Sequence, residues 1–223
     1  ATRSERTDLD AKIHRASGPG SLIPGSRTLA EYPSTMRITQ RLTASHGALL
    51  VIDMQDKLLE RTADHAAVLT NTVRLIDAAN LLKLPAWATE QYPKGLGATN
   101  REIAERIPDR PSKTTFHCCA TAQLIEQLYG RHIKHVTLAG IEAHVCVAQT
   151  ALELMDMNFR VQVVADAVAS RNPIDREYAL RRLERAGAII STTEAVIFEW
   201  TETADRPEFK AISALIKAAS PAQ

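Results

Sequence analysis

The feature that most restricts the fold is a run of five apolar residues, 48 to 52, that stops abruptly at Asp53. A half-exposed strand alternates apolar and polar residues. An unbroken run marks a strand covered on both faces, the condition of a parallel sheet held between helical layers. The chain repeats this signature. Residues 135 to 139 form a short apolar run rich in β-branched residues, 161 to 165 are apolar but for Gln162, and 84 to 89, 112 to 116 and 188 to 191 are further strand candidates. Helical spacing fills the intervals: Leu69, Val73 and Ile76 within 64 to 83, a short segment at 99 to 106, a segment through Leu124 and Leu128 that ends near Gly130, and 145 to 158. Pro173 opens a charged helix to Ala186 that Gly187 is placed to end, and 208 to 218 reads as a final amphipathic helix. Strands alternating with helices predict an α/β fold: a three-layer, Rossmann-like, mostly parallel six-stranded sheet with right-handed crossovers and helices on both faces.

At 223 residues the chain suits one such domain with an extension. Its 27 basic and 26 acidic residues nearly cancel, so no field invites nucleic acid or an anionic membrane, and neither is expected as a partner. No run approaches the roughly 18 apolar residues that cross a bilayer, and no secretory h-region opens the chain. Three cysteines, two of them adjacent, make a poor disulfide framework and fit a reducing compartment, so a cytoplasmic location is expected. Residues 1 to 45 read as an N-terminal arm outside a domain spanning 46 to 223. They hold seven Lys or Arg, four acids and three prolines, and SGPGSLIPGS at 17 to 26 cannot build a packed face. The acids Glu5, Asp8, Asp10 and Glu31 count against a transit peptide.

In open parallel sheets the residues just beyond the strand ends converge on one edge, where ligands bind. Asp53, Glu90 and Gln91 belong there, as does the turn after Gly140. Past that turn, Val147, Ala151 and Leu154 keep helical spacing, which puts Cys146 at the mouth of a helix. Unpaired N–H groups and the helix dipole at such an end favour the thiolate, the nucleophilic form. The plainer reading is that Cys146 is a small buried hydrophobe. Cys118 and Cys119 are rival thiols at the start of another helix, and their vicinal disulfide would be strained. The 145 to 158 helix is apolar nearly all round, which predicts that a neighbouring subunit covers its outer side in a homo-oligomer, at least a dimer.

Taken together, Asp53 after the first strand, Lys113 within PSKTTFHC on a middle strand, and GIEAHVCV at a later strand-to-helix turn resemble the isochorismatase-like cysteine hydrolases. That family includes nicotinamidases and carbamoylsarcosine amidohydrolase. The resemblance covers about residues 46 to 219, and TEQYPKGLG at 89 to 97 is similar to the loop of the isochorismatase domain-containing subgroup. It implies a Cys146 nucleophile, Asp53 as proton carrier and Lys113 as fixed positive charge. It also implies backbone N–H groups of Glu142 and Cys146 as oxyanion donors and a cis peptide between Ile141 and Glu142.

The implied activity is hydrolysis of a small amide or carbamoyl compound through a thioester, without metal or cofactor. Between Asp53 and Thr89 the only histidine is His65, too few for the imidazole metal site of metal-dependent nicotinamidases. Isochorismate cleavage is associated with members that lack the cysteine, so the family name does not give the substrate. Glu90, Gln91, Tyr92, Phe116, His117 and His144 are candidates to line the substrate pocket, each equally readable as a loop or packing residue; Trp87 reads as core. Two further readings remain: an oligomeric binding protein without catalysis, and a nuclease-like hydrolase, which the neutral charge and few aromatics do not support.

Overall fold

A computed structural model describes residues 41–62 and 64–218, so residues 1–40 of the expected arm lie outside the described residues. Six strands form one parallel sheet in the order β3-β2-β1-β4-β5-β6. They are β1 (Gly47–Ile52), β2 (Ala86–Gln91), β3 (Ser112–Lys113), β4 (His135–Ile141), β5 (Arg160–Ala169) and β6 (Ile189–Ser191). The helices are α1 (Asp56–Leu59), α2 (His65–Leu81), α3 (Pro93–Leu96), α4 (Arg101–Arg106), α5 (Ala122–Gly130), α6 (Ala148–Asp156), α7 (Pro173–Ala186), α8 (Thr193–Thr201) and α9 (Phe209–Lys217).

The unbroken apolar run has the consequence expected of it, because every residue of β1 is buried. Leu49 and Val51 join one core layer with Leu75 and Ile76 of α2, Trp200 of α8 and Ile212 of α9. Ala48, Leu50 and Ile52 join the opposite layer with Leu128 of α5, Ala151 and Leu154 of α6, and Leu183 of α7. Each aliphatic side chain removed from water in this way contributes about 1.5–3 kcal/mol, so the two layers clamp β1 from both faces. Leu42, just before the sheet, is also buried, and His135 Nε2 meets the carbonyl of Thr43 at 2.7 Å.

Gly140 is required at the centre of this arrangement. Its φ is +119°, and a Cβ there would stand 2.1 Å from the carbonyl oxygen of Ile52. Only glycine lets β4 pass that close to the end of β1, immediately before Asp53.

Four departures from the periodicity bear on the site and the core, besides the short helices α1 and α3 and the longer ends of β2 and β5. β3 stops at Lys113 instead of continuing to Phe116, because the chain turns around the Lys113 ammonium and presents it the carbonyls of Thr115 and Phe116 at 3.4 and 3.3 Å. The helix expected from residue 145 becomes regular only at Ala148. Residues Ala143–Val147 form a wider turn, in which the N–H of Val147 reaches back to the carbonyl of Glu142 at 3.2 Å. α8 has no counterpart in the sequence reading. Its N-terminal Thr193 is held through both N–H and hydroxyl by Asp166 Oδ1, at 2.7 and 2.9 Å, so the cap comes from β5 rather than from a neighbouring residue.

The fourth difference concerns α6. Most of its apolar circumference is covered within the chain, by β5, by α7 and by the turn Cys118–Ala120, while Gln149, Glu153 and Asp156 face solvent. Of the apolar residues expected to face a neighbour, Val145, Leu152, Met155 and Met157 remain partly exposed. Among the described residues no helix is long and apolar enough to cross a membrane.

Candidate active site

The carboxyl ends of β1, β2, β3 and the turn after β4 bring one set of side chains together. Asp53 follows β1 in the left-handed region at φ +52°, its N–H bonded to the carbonyl of Thr89 at 3.2 Å, and it is fully buried. Lys113 ends β3 and meets Asp53 Oδ2 at 2.7 Å, with side-chain exposures of 2% and 0% for the two. Its Nζ also donates to Gln91 Oε1 at 2.6 Å and to the two loop carbonyls named above. An ammonium has three hydrogens, so protein acceptors fully occupy Lys113.

Gln91 is the hub of the set. Its carbonyl oxygen receives Lys113 and lies 3.9 Å from Cys146 Sγ, while its Nε2 donates to the carbonyl of Thr114 at 3.0 Å. Gln55 holds its backbone from both sides, accepting its N–H at 2.8 Å and donating to its carbonyl at 3.0 Å. The period of a strand puts Thr89 on the same side of β2 as Gln91, and Thr89 Oγ1 donates to Asp53 Oδ1 at 2.8 Å. Thr89 and Gln55 were missed in the sequence reading. The alternation along β2 was the available signal for Thr89; nothing local marked Gln55.

Cys146 sits in the Ala143–Val147 turn, only 6% exposed, and the peptide bond between Ile141 and Glu142 is cis. Here the expectation of a readily ionised thiol needs correction. Burial pushes the Cys146 thiol well up, the adjacent Asp53 charge adds to that, and Lys113 offsets only part of it. The helix-end effect is worth about 0.3–1 kcal/mol and is too small to prevail. Burial also opposes the charge of Lys113, but the Asp53 carboxylate outweighs it and holds the lysine above its usual value. Burial raises Cys118 to about 11 and Cys119 to about 12.

The other expected pocket residues divide. Glu90 is turned away from this set: its Oε1 takes the N–H and hydroxyl of Thr99 at 3.0 and 2.7 Å and lies 3.5 Å from Arg110 Nε. Burial alone would raise Glu90, but those partners hold it below the ordinary carboxylate value. Tyr92 and Phe116 are each 53% exposed. His144 Nδ1 meets Ser170 Oγ at 2.9 Å, and the buried Nδ1 of His117 has no hydrogen-bond partner. The Glu142 side chain receives both the N–H and Nε of Arg171 at 3.0 and 2.9 Å. Trp87, read as core, packs against the core layer of Leu50 and Leu128 with its Nε1 donating to Gln127 Oε1 at 2.6 Å. Among the described residues no group of three or more His, Cys, Asp or Glu is arranged to hold a metal ion.

Known proteins resemble this chain in sequence and in fold. The chain is 37% identical over 196 residues to the secreted isochorismatase effector Isc1 of Phytophthora sojae, which covers 85% of this chain and 93% of that protein. It is 37% identical over 181 residues to isochorismatase domain-containing protein 2 of Danio rerio, covering 81% and 92%. Among solved structures, the MAR1 ribonuclease of Caenorhabditis elegans superposes with a TM-score of 0.76 at 39% identity, over 82% of this chain and 95% of that one. The YcaC gene product of Escherichia coli, described as an octameric hydrolase of unknown specificity, gives 0.70 at 25% identity, over 81% and 98%. Residues 47–195 match the model of the isochorismatase domain, and the chain belongs to the isochorismatase family.

Proposed function

We propose that this chain is a metal-independent, cofactor-free cysteine hydrolase that cleaves the C–N bond of a small amide or carbamoyl compound through a Cys146 thioester. The observation that carries the reading is the buried contact set in which Gln91 joins Lys113 to Cys146 while Lys113 holds Asp53. A thiol, a proton acceptor and a fixed cation within reach of one another are the parts such a reaction needs.

Because burial and Asp53 keep the resting thiol protonated, attack and proton transfer go together. The Sγ–H bond breaks as sulfur adds to the carbonyl carbon, and the proton passes to Asp53. The backbone N–H groups of Glu142 and Cys146 receive the negative oxygen of the tetrahedral intermediate. Asp53 then delivers its proton to the departing nitrogen, draws one from the water that opens the thioester, and returns it to the released Cys146 sulfur. Lys113 stays protonated throughout and balances the charge.

A small, uncharged substrate suits this site, because Lys113 has no N–H left for a substrate anion. Gln91 and His117 are the candidates to contact it. The protein is read as a homo-oligomer, in line with the octameric assembly named for the E. coli relative, and as cytoplasmic, without nucleic-acid or membrane partners.

The deciding experiment screens small amides and carbamoyl compounds for ammonia release and follows acyl adducts on the Cys146 peptide by mass spectrometry. Turnover that disappears in Cys146→Ser and Asp53→Asn supports the reading; turnover that persists in Cys146→Ser overturns it. A second reading, a nuclease-like hydrolase, is favoured by the 39% identity to a protein named as a ribonuclease. It predicts RNA binding that weakens steeply with salt.

A further inference from the structure

Asp53 has two donors, one on each oxygen. Lys113 Nζ holds Oδ2 at 2.7 Å and Thr89 Oγ1 holds Oδ1 at 2.8 Å, so the plane of the carboxylate is fixed from two directions. Thr89 is 1% exposed, and its hydroxyl lies 3.5 Å from Cys118 Sγ. Cys118 is itself fully buried, with its backbone N–H on Thr150 Oγ1 at 3.0 Å. A hydroxyl has one hydrogen and two lone pairs. Since that hydrogen goes to Asp53, the Cys118 thiol faces a lone pair of Thr89 and donates to it. Burial raises this thiol to about 11, so it still carries its hydrogen at neutral pH. The three groups form a chain of donors running from Cys118 through Thr89 to Asp53, and each bond polarises the next.

Lys113 alone could not orient the carboxylate. A single ammonium holds one oxygen and leaves the group free to turn about that contact. We propose that Thr89, backed by the Cys118 thiol, is the positioning residue that keeps the Asp53 carboxylate turned to receive the Cys146 proton. The inference rests on the reading of Asp53 as proton carrier. In the step itself the Cys146 Sγ–H bond breaks and an O–H bond forms on Asp53, while Thr89 and Cys118 keep their own hydrogens.

The test uses the full chain with Thr89→Val, which keeps the shape and removes the hydroxyl, Thr89→Ser, which restores it, and Cys118→Ala. For an amide that the wild type hydrolyses, Thr89→Val is expected to lower kcat about 10- to 100-fold with KM within about twofold, since misplacing a catalytic group slows chemistry rather than binding. Thr89→Ser is expected to recover kcat to within about threefold, and Cys118→Ala to lose only a few-fold. Undiminished kcat in Thr89→Val overturns the inference. So does a Thr89→Ser as slow as Thr89→Val when both melt at the wild-type temperature, because the methyl group would then be what matters.

Iodoacetamide alkylation of Cys146, read by peptide mass spectrometry, makes the same comparison without a substrate. Slower labelling in Thr89→Val that Thr89→Ser restores supports the positioning role, and equal labelling in all variants overturns it. If the wild type turns over no amide or carbamoyl compound and forms no acyl adduct on the Cys146 peptide, the cysteine-hydrolase reading fails and the positioning role fails with it. If Thr89→Val does not fold, Thr89→Ser and Cys118→Ala decide, and wild-type kcat in Cys118→Ala removes the thiol from the proposal.

Discussion

Lys113 and Asp53 lie 60 residues apart in the chain and meet at 2.7 Å with both side chains out of water. Each makes the other tolerable in the interior. Losing either one strands a charge, whereas losing both strands none.

Asp53→Asn and Lys113→Met are therefore each expected to cost about 3–5 kcal/mol of stability, and the double variant markedly less than the sum. Chemical denaturation of the three variants checks this. Additive costs would show that the pair is not coupled.

The buried thiols give stability a dependence on alkaline pH. Cys118 at about 11 and Cys119 at about 12 stay protonated in the folded chain where unfolded cysteines, near 9.0, ionise. Below the unfolded value both states hold the proton and nothing changes. Above it the unfolded state loses protons that the folded state keeps, so stability falls by up to about 1.4 kcal/mol per pH unit for each such thiol. Denaturation midpoints between pH 8 and 10 should drop, and Cys118→Ala should flatten that slope.

Glu90 acts at the other end of the scale. Its value is held below 4.5 in the folded chain, so its contribution is fully present above the unfolded value and is lost as pH falls through the folded one. Glu90→Gln, which keeps an acceptor for Thr99 but removes the charge that strengthens those bonds and faces Arg110, should cost about 0.5–1.5 kcal/mol at pH 7 and reduce the acid sensitivity below about pH 5. A thermal melt series from pH 3 to 7 reads both effects.

Gly140→Ala tests the close passage of β4 over the end of β1. A methyl group 2.1 Å from the Ile52 carbonyl forces the strands apart next to Asp53. The expected loss is above about 3 kcal/mol, with Cys146 labelling altered in any fraction that folds. A melting temperature within a degree or two of wild type would refute the tight fit.

Much of the fold was legible in residue order. The apolar run before Asp53, the similar runs at β4 and β5, and the Pro173 to Gly187 helix follow from hydrophobic period and from local backbone preferences, which act over a few residues. The family likeness placed Asp53, Lys113 and Cys146 at strand ends, and an open parallel sheet necessarily gathers strand ends on one edge.

Tertiary structure decided what depends on distance and on water. It turned Glu90 away from the site and Gln91 into it, although both lie at the end of one strand, because the phase of β2 against its neighbours selects the face. It capped α8 from Asp166, shortened β3 around the Lys113 ammonium, and covered α6 with α7. It also reversed the expected behaviour of Cys146. A helix mouth can be read from sequence, but how much solvent a thiol keeps, and which charges lie beside it, are set by the packing of elements far apart in the chain.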